Sequence, residues 1–139
     1  MGPVIVRAGT SLRNEIESGH HRLIADEPVD AGGSDEGPTP YDFLATALGT
    51  CTSMTMRVVA TREKIPLEGA EIHITSDRMY AKDCADCTSA TGYIHRFDVR
   101  IKLLGTLTDP QRERLLTVAR RCPVAKTLTS EIKIEESLI

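Results

Sequence analysis

Four cysteines are the residues of this sequence most able to do chemistry, and two of them are predicted to face one interior site. Cys51 lies in an apolar run with helical spacing, and Cys122 follows a second such run 122 − 51 = 71 residues later. Two neighbouring thiols can reduce a peroxide, because one is oxidised to a sulfenic acid and the other condenses with it to a disulfide. An external dithiol then reduces the disulfide by exchange. Burial as a small apolar side chain is the competing interpretation of each cysteine.

Electrostatics at the predicted helix ends distinguishes the two thiols, since only a thiolate is nucleophilic. Cys51 is expected about three turns into its helix, beyond the reach of the N-terminal dipole, so a cation must activate it. Cys122 is expected at a helix C-terminus, where the dipole disfavours an anion, and this suits a resolving thiol. Four basic side chains of the first predicted strands are candidates for the cation, and the spacing does not choose among them: Arg13, His20, His21 and Arg22.

The other two cysteines, Cys84 and Cys87, form a C-x-x-C pair in an acidic segment. A redox dithiol of this type usually opens a helix after a strand, and structural zinc sites commonly combine two such pairs. Neither context is present, and His73 or His95 would join the pair only by accident of folding. Two loop cysteines are therefore the simplest interpretation, with exchange with the disulfide of the other two cysteines as an alternative. We expect no metal and no cofactor.

The segment before Cys51 predicts short strands at residues 4–7, 12–17 and 21–25, then a loop over residues 28–40. A long helix is predicted to follow, with Thr39 as N-cap and Pro40 in the first turn, ending near residues 62–64. Gly49 inside this helix costs about 1 kcal/mol relative to Ala, which indicates either another backbone close to it or a weak local helix propensity.

After this helix, alternation of apolar and polar residues predicts strands at 70–75 and 93–104. A second helix is predicted behind Thr108 and Asp109, with Cys122 on its apolar side and Pro123 as its end, and Ile132 and Ile134 indicate a last strand. The order β-β-β-α-β-β-α-β predicts a single α+β domain over residues 1–139.

Composition excludes several classes of function. The net charge is −3 and no long basic run is present, so nothing favours nucleic-acid binding. No uninterrupted apolar stretch reaches the ~18 residues of a membrane span, and residues 1–7 do not resemble a signal peptide, so a cytoplasmic location is expected. Neither a phosphate loop nor a G-x-S-x-G motif occurs. The acidic pairs at residues 26–27 and 35–36 are interpreted as solvated charge.

Two stretches resemble a known family. Residues 37–55, GPTPYDFLATALGTCTSMT, resemble the first cysteine helix of OsmC-like proteins, and residues 121–128, RCPVAKTL, resemble their second cysteine motif. The resemblance implies an α+β fold of the OsmC type, with two central helices flanked by antiparallel sheets. It also implies an intertwined homodimer with each active site near the interface.

The resemblance further implies an activity, the reduction of organic hydroperoxides, and sometimes of hydrogen peroxide, by a dithiol of the lipoyl or thioredoxin type. Cys51 matches the attacking cysteine of the family and Cys122 the resolving one, and Arg13 lies near the arginine that orients the attacking thiolate. Tyr41 occupies the position of a glutamate in hydroperoxide-reducing members, and Ala125 the position of a frequent histidine. A non-enzymatic redox- or stress-responsive protein and a small-molecule-binding module are the alternatives.

Overall fold

The computed structural model describes residues 2–139. The chain forms two compact units, of which the first ends at Leu44 and the second covers Ala45–Ile139. Antiparallel strands and helices make up the fold, which confirms the predicted α+β class. The assignment of residues 1–139 to a single domain stays a prediction.

Three antiparallel strands form the sheet of the first unit: β1 (Val4–Ala8), β2 (Asn14–Ser18) and β3 (His21–Ala25), in that spatial order. A two-residue turn, Gly19-His20, joins β2 to β3, and Ser18 pairs with His21 across it. Gly19 has φ of 60°, the left-handed conformation that tight hairpin turns require and that glycine adopts without steric cost. The three predicted strands are confirmed, although β2 begins at residue 14 and ends at residue 18, against the predicted 12–17.

The loop after β3 is organised by the carboxylate of Asp26, which is only 2% exposed. Its Oδ1 accepts a hydrogen bond from the backbone N–H of Glu27 at 2.8 Å, and its Oδ2 accepts from those of Ser34 and Glu36 at 3.2 Å. These bonds, that of Glu27 foremost, stabilise the anion and hold the pKa of Asp26 below its ordinary value. The interpretation of Asp26 as solvated charge is therefore wrong, because backbone donors replace its water.

A long antiparallel ribbon forms the sheet of the second unit, with β4 (Gly69–Tyr80) paired along its whole length with β5 (Tyr93–Leu104). The bounds of β5 are those predicted. The predicted 70–75 strand was too short, since the polar residues 76–78 also pair with β5. An ion pair between Asp77 and Arg96, at 2.9 Å, spans the ribbon there, so cross-strand contacts replace apolar alternation.

Helix α1 (Pro40–Arg62) follows the predicted bounds. Its buried positions repeat at helical spacing, and the small core that they enter joins α1 to α2 (Asp109–Ala119): Met56, Ala60, Leu67, Leu115 and Ala119. The nearest atoms to a Cβ built at Gly49 belong to the side chains of Ile74 and Ile72 on β4, at 3.0 and 3.8 Å. The close neighbour of Gly49 is therefore a pair of side chains, and the expectation of a backbone there is wrong.

By length and composition alone, α1 would also meet the requirement for crossing a membrane. This observation is weak evidence for a membrane span, because the core helix of a protein that is not in a membrane can pass the same test. The buried side chains of α1 pack against α2 and the segment between them.

Two predictions near the C-terminus are wrong. Helix α2 ends at Ala119 and does not reach Cys122, and a further helix, α3 (Pro123–Leu128), follows it at once. Residues 131–139 contain no strand. The order of elements is thus β-β-β-α-β-β-α-α.

Candidate functional site

Cys122 occupies the N-cap of α3, with its sulfur inside the protein. The residue is fully buried, and its Sγ accepts a hydrogen bond from the backbone N–H of Ala125 at 3.4 Å. The predicted placement at a helix C-terminus is wrong because Pro123 begins a helix, where a missing N–H is harmless, and does not end one. The helix dipole therefore gives no reason against an anion at Cys122.

Thr52 connects Cys122 to helix α1. Its Oγ1 lies 3.6 Å from Cys122 Sγ and 2.8 Å from the carbonyl oxygen of Leu48. A hydroxyl has one proton, so while Thr52 donates to Leu48 it can only accept from a Cys122 thiol. If the thiol loses its proton, the hydroxyl can rotate and donate to the sulfur. Thr52 is not among the site residues predicted from the sequence, and its only signal there is a hydroxyl at a helical position beside Cys51.

Cys51 directly precedes Thr52, so its Cα lies about 3.8 Å from that of Thr52 and the two thiols belong to one region of the second unit. Both are free, and they differ in exposure, since Cys51 is half-buried and Cys122 is buried. The second unit thus contains two free thiols, the first partly exposed and the second buried and hydrogen-bonded.

The sequence also matches a known protein family. The sequence model of OsmC-like proteins matches residues 33–137, which include both cysteine motifs. The chain belongs to the OsmC-like family. None of the curated proteins matches the sequence.

Solved structures agree with this membership. A Psychrobacter arcticus protein described as an osmotic stress induced and detoxification response protein is 26% identical, with a TM-score of 0.72 over 91% of this chain and 88% of that one. A Legionella pneumophila organic hydroperoxide resistance protein has 20% identity and a TM-score of 0.66, over 91% and 88%. A Vibrio cholerae organic hydroperoxide resistance protein with captopril in one active site has 20% identity and a TM-score of 0.65, over 93% and 85%. The last two show a shared fold.

Arg13 of this OsmC-like protein lies in the first unit and is engaged by carboxylates. Its guanidinium contacts Glu15 at 3.0 Å and Glu36 at 3.6 Å, and the hydrogen bond to Glu15 is the main reason why the pKa of Arg13 is raised. Arg13 also lines a cavity of about 310 Å³ beside β1 and β2. Its role towards Cys51 stays a prediction.

The other candidate cations, His20, His21 and Arg22, are exposed. The rings of His20 and His21 contact each other at 4.1 Å, and Arg22 lies 3.6 Å from Glu17. These contacts tie the three side chains to their own hairpin.

The C-x-x-C pair of this family member lies in a loop, as predicted, and Cys84 and Cys87 are joined by a disulfide. Asp86 lies beside them, so the three residues could together offer two thiolates and a carboxylate to a metal ion once the disulfide is reduced. His73 is instead 3.8 Å from Glu71 on the ribbon.

Proposed function

We propose that this OsmC-like protein is a thiol peroxidase that reduces organic hydroperoxides through Cys51 and Cys122. The Cys51 thiolate attacks the outer peroxide oxygen, the O–O bond breaks, and the leaving alkoxide takes a proton to become an alcohol. Cys51 is left as a sulfenic acid. The Cys122 thiolate then attacks the Cys51 sulfur, the S–O bond breaks, the leaving hydroxide takes up a proton from solvent to become water, and a Cys51–Cys122 disulfide forms.

The observation that carries this proposal is the contact of Thr52 Oγ1 with Cys122 Sγ at 3.6 Å, one residue after the more exposed free thiol. Access divides the two roles. A peroxide must reach the attacking sulfur from solvent, which favours Cys51, whereas the resolving sulfur needs only to meet its partner. The N–H of Ala125 and the hydroxyl of Thr52 can both stabilise a Cys122 thiolate during that attack.

An arginine is required in this proposal to hold Cys51 as a thiolate, and Arg13 is our candidate. Its two carboxylate partners lie on the surface, where an ion pair is worth about 1 kcal/mol or less. A thiolate could therefore compete for the guanidinium at small cost.

The reductant that we propose is a small dithiol of the lipoyl type, in preference to a thioredoxin-type protein. Only one of the two sulfurs is partly exposed, and a flexible arm reaches a recessed disulfide more readily than a folded domain does. The dithiol is oxidised to its disulfide while Cys51 and Cys122 return to thiols.

A homodimer is part of the proposal, and the outer side of α1 supports it. Met54 and Val58, four residues apart, are 66% and 62% exposed, and apolar side chains at this spacing form one stripe on a helix. A second copy could cover this stripe. Sedimentation should show a dimer in the wild type, and Val58→Glu should shift it towards monomer.

Peroxide consumption with dithiothreitol tests the proposed activity. With dithiothreitol, the wild type should turn over cumene hydroperoxide and Cys51→Ser should lose all turnover. Without dithiothreitol, Cys122→Ser should consume one equivalent and accumulate a sulfenic acid that dimedone traps. A wild type that leaves the peroxide untouched would exclude the peroxidase. If its thiols oxidise only once and alter association with another protein, the redox-responsive alternative would replace it. A co-purifying small molecule with inert thiols would favour the binding module.

A further inference from the structure

The tip of the β4–β5 ribbon carries a second pair of sulfur atoms that the proposed peroxidase does not use. Cys84 and Cys87, both half-buried, form a disulfide just after the 3₁₀ turn Ala81–Asp83. The carboxylate oxygen Oδ1 of Asp86 lies 3.3 Å from Cys84 Sγ. A disulfide sulfur carries no proton, so this contact can become a hydrogen bond only when the bond is reduced to thiols.

The disulfide is redundant for holding the ribbon together. The strand ends are already closed by the stacked rings of Tyr80 and Tyr93, with centroids 4.7 Å apart, and by a hydrogen bond from Ala81 N to Gly92 O at 2.8 Å. The disulfide itself closes a ring of only four residues, the kind that restricts an unfolded chain least. A structural role therefore does not account for it.

We propose that Cys84 and Cys87 form a second redox centre, which cycles between disulfide and dithiol by exchange with a small dithiol and whose reduced state Asp86 stabilises. One thiolate of the small dithiol attacks a sulfur of the pair and breaks the S–S bond, and the released protein thiolate takes up a proton. The second thiol of the reagent then displaces the other protein sulfur. Two electrons and two protons move to the protein, and the reagent leaves as a cyclic disulfide.

The position of the pair supports this chemistry. Exchange requires a sulfur that an external thiolate can reach in line with the S–S bond, and both cysteines lie in a loop outside the buried core. After reduction, the S–H group of Cys84 can donate to Asp86, a charge-assisted hydrogen bond that the disulfide cannot make. Asp86 therefore favours the dithiol over the disulfide.

The test uses the full chain with Cys51→Ser and Cys122→Ser, which leaves only the loop pair and makes the result independent of any peroxidase activity. The variant is equilibrated without denaturant in mixtures of reduced and oxidised lipoic acid, quenched with acid and labelled with N-ethylmaleimide. We expect Cys84 and Cys87 to gain their labels together, in one two-electron transition, as the reduced fraction of the lipoic acid rises. The wild type with peptide mapping gives the same measurement if the double variant does not fold.

Three outcomes would overturn the proposal. The pair could stay unlabelled in a hundredfold excess of the dithiol, which would make it an inert bond. It could stay fully labelled in a hundredfold excess of the oxidised reagent, so that no disulfide forms. It could exchange in neither direction unless a chelator removes zinc, which would make Cys84, Asp86 and Cys87 a metal site.

Asp86→Ala, with Asp83→Ala as the control, tests the role of the carboxylate. Both substitutions remove one negative charge from the same loop, but only Asp86 contacts the sulfur. We expect Asp86→Ala to shift the exchange equilibrium about two- to tenfold towards the disulfide, the range of one modest hydrogen bond. Equal shifts in both variants, or none, would refute stabilisation by Asp86.

Discussion

Removal of the Thr52 hydroxyl should slow the formation of the Cys51–Cys122 disulfide. Thr52→Val keeps the shape of the side chain but deletes the oxygen that lies 3.6 Å from Cys122 Sγ. A hydrogen bond to a charged group contributes about 1.5–3 kcal/mol, and the length of this contact places it near 1.5 kcal/mol. At about 1.4 kcal/mol per factor of ten, the variant would lose roughly a factor of ten in the stabilisation of a negative charge on Cys122 Sγ.

The expected effect on the rate of disulfide formation is smaller than this loss of stabilisation. A less stabilised thiolate is more nucleophilic, with a Brønsted coefficient of about 0.4–0.5, which recovers roughly threefold. The net expectation is disulfide formation about three- to fourfold slower. The fold should be affected by less than about 1 kcal/mol, because Thr52→Val leaves the backbone hydrogen bonds of α1 in place.

A rapid-quench experiment measures this rate. One equivalent of cumene hydroperoxide oxidises Cys51, the reaction is quenched with acid and alkylating agent, and mass spectrometry follows the growth of the disulfide. Thr50→Val is the matched control, because Thr50 Oγ1 makes the same kind of bond to a carbonyl four residues earlier, at 2.7 Å, and contacts no sulfur. Wild-type rates in Thr52→Val, or equal slowing in both variants, would refute the proposed role of the hydroxyl.

Three further predictions concern the fold that positions the site. Asp26→Asn should make the free energy of unfolding fall less steeply as the pH drops below about 4. The depressed pKa makes the Asp26 carboxylate stabilising above its unfolded value of 3.8, and this is lost on acidification; the exposed Asp30 should show no such effect in acid-unfolding curves. Gly49→Ala should change the free energy of unfolding by less than about 1 kcal/mol, since a gain in helix propensity offsets crowding against Ile74 at 3.0 Å; a loss of several kcal/mol would contradict this. Thr108→Ala should cost about 1 kcal/mol in urea unfolding, because it removes the capping box of α2.

Periodicity predicted the elements whose side chains alternate between core and solvent. Helix α1 and strand β5 followed the sequence closely, since α1 buries one face from Leu48 to Ala60 and half-buried positions alternate with exposed ones along β5 from Phe97 to Leu103. The outer half of β4 was missed because it has little apolar alternation. It is held by contacts across the ribbon, such as that of Asp77 with Arg96. Pairings of that kind can be predicted only once the partner strand is known.

The helix break before Cys122 could not be predicted from the same pattern. Leu115, Ala119 and Cys122 keep a helical spacing through the interruption, and a proline after them can end one helix or begin the next. Only the three residues between α2 and α3 distinguish the two possibilities, and such a gap is shorter than one helical turn. The same ambiguity led to the wrong prediction of a helix C-terminus at Cys122.

Exposure to solvent is the property that separates the roles of the two thiols. Two groups can donate hydrogen bonds to the buried sulfur, the hydroxyl of Thr52 and the N–H of Ala125. Stabilisation of a thiolate by itself would therefore point to Cys122 as the attacking residue. A stabilised thiolate that solvent does not reach cannot meet a peroxide, however, whereas it can meet a neighbouring sulfenic acid. Attack by Cys51 and resolution by Cys122 therefore remain our proposal, and the trapping experiment with Cys122→Ser tests the order directly, because a sulfenic acid on Cys51 requires that Cys51 react first.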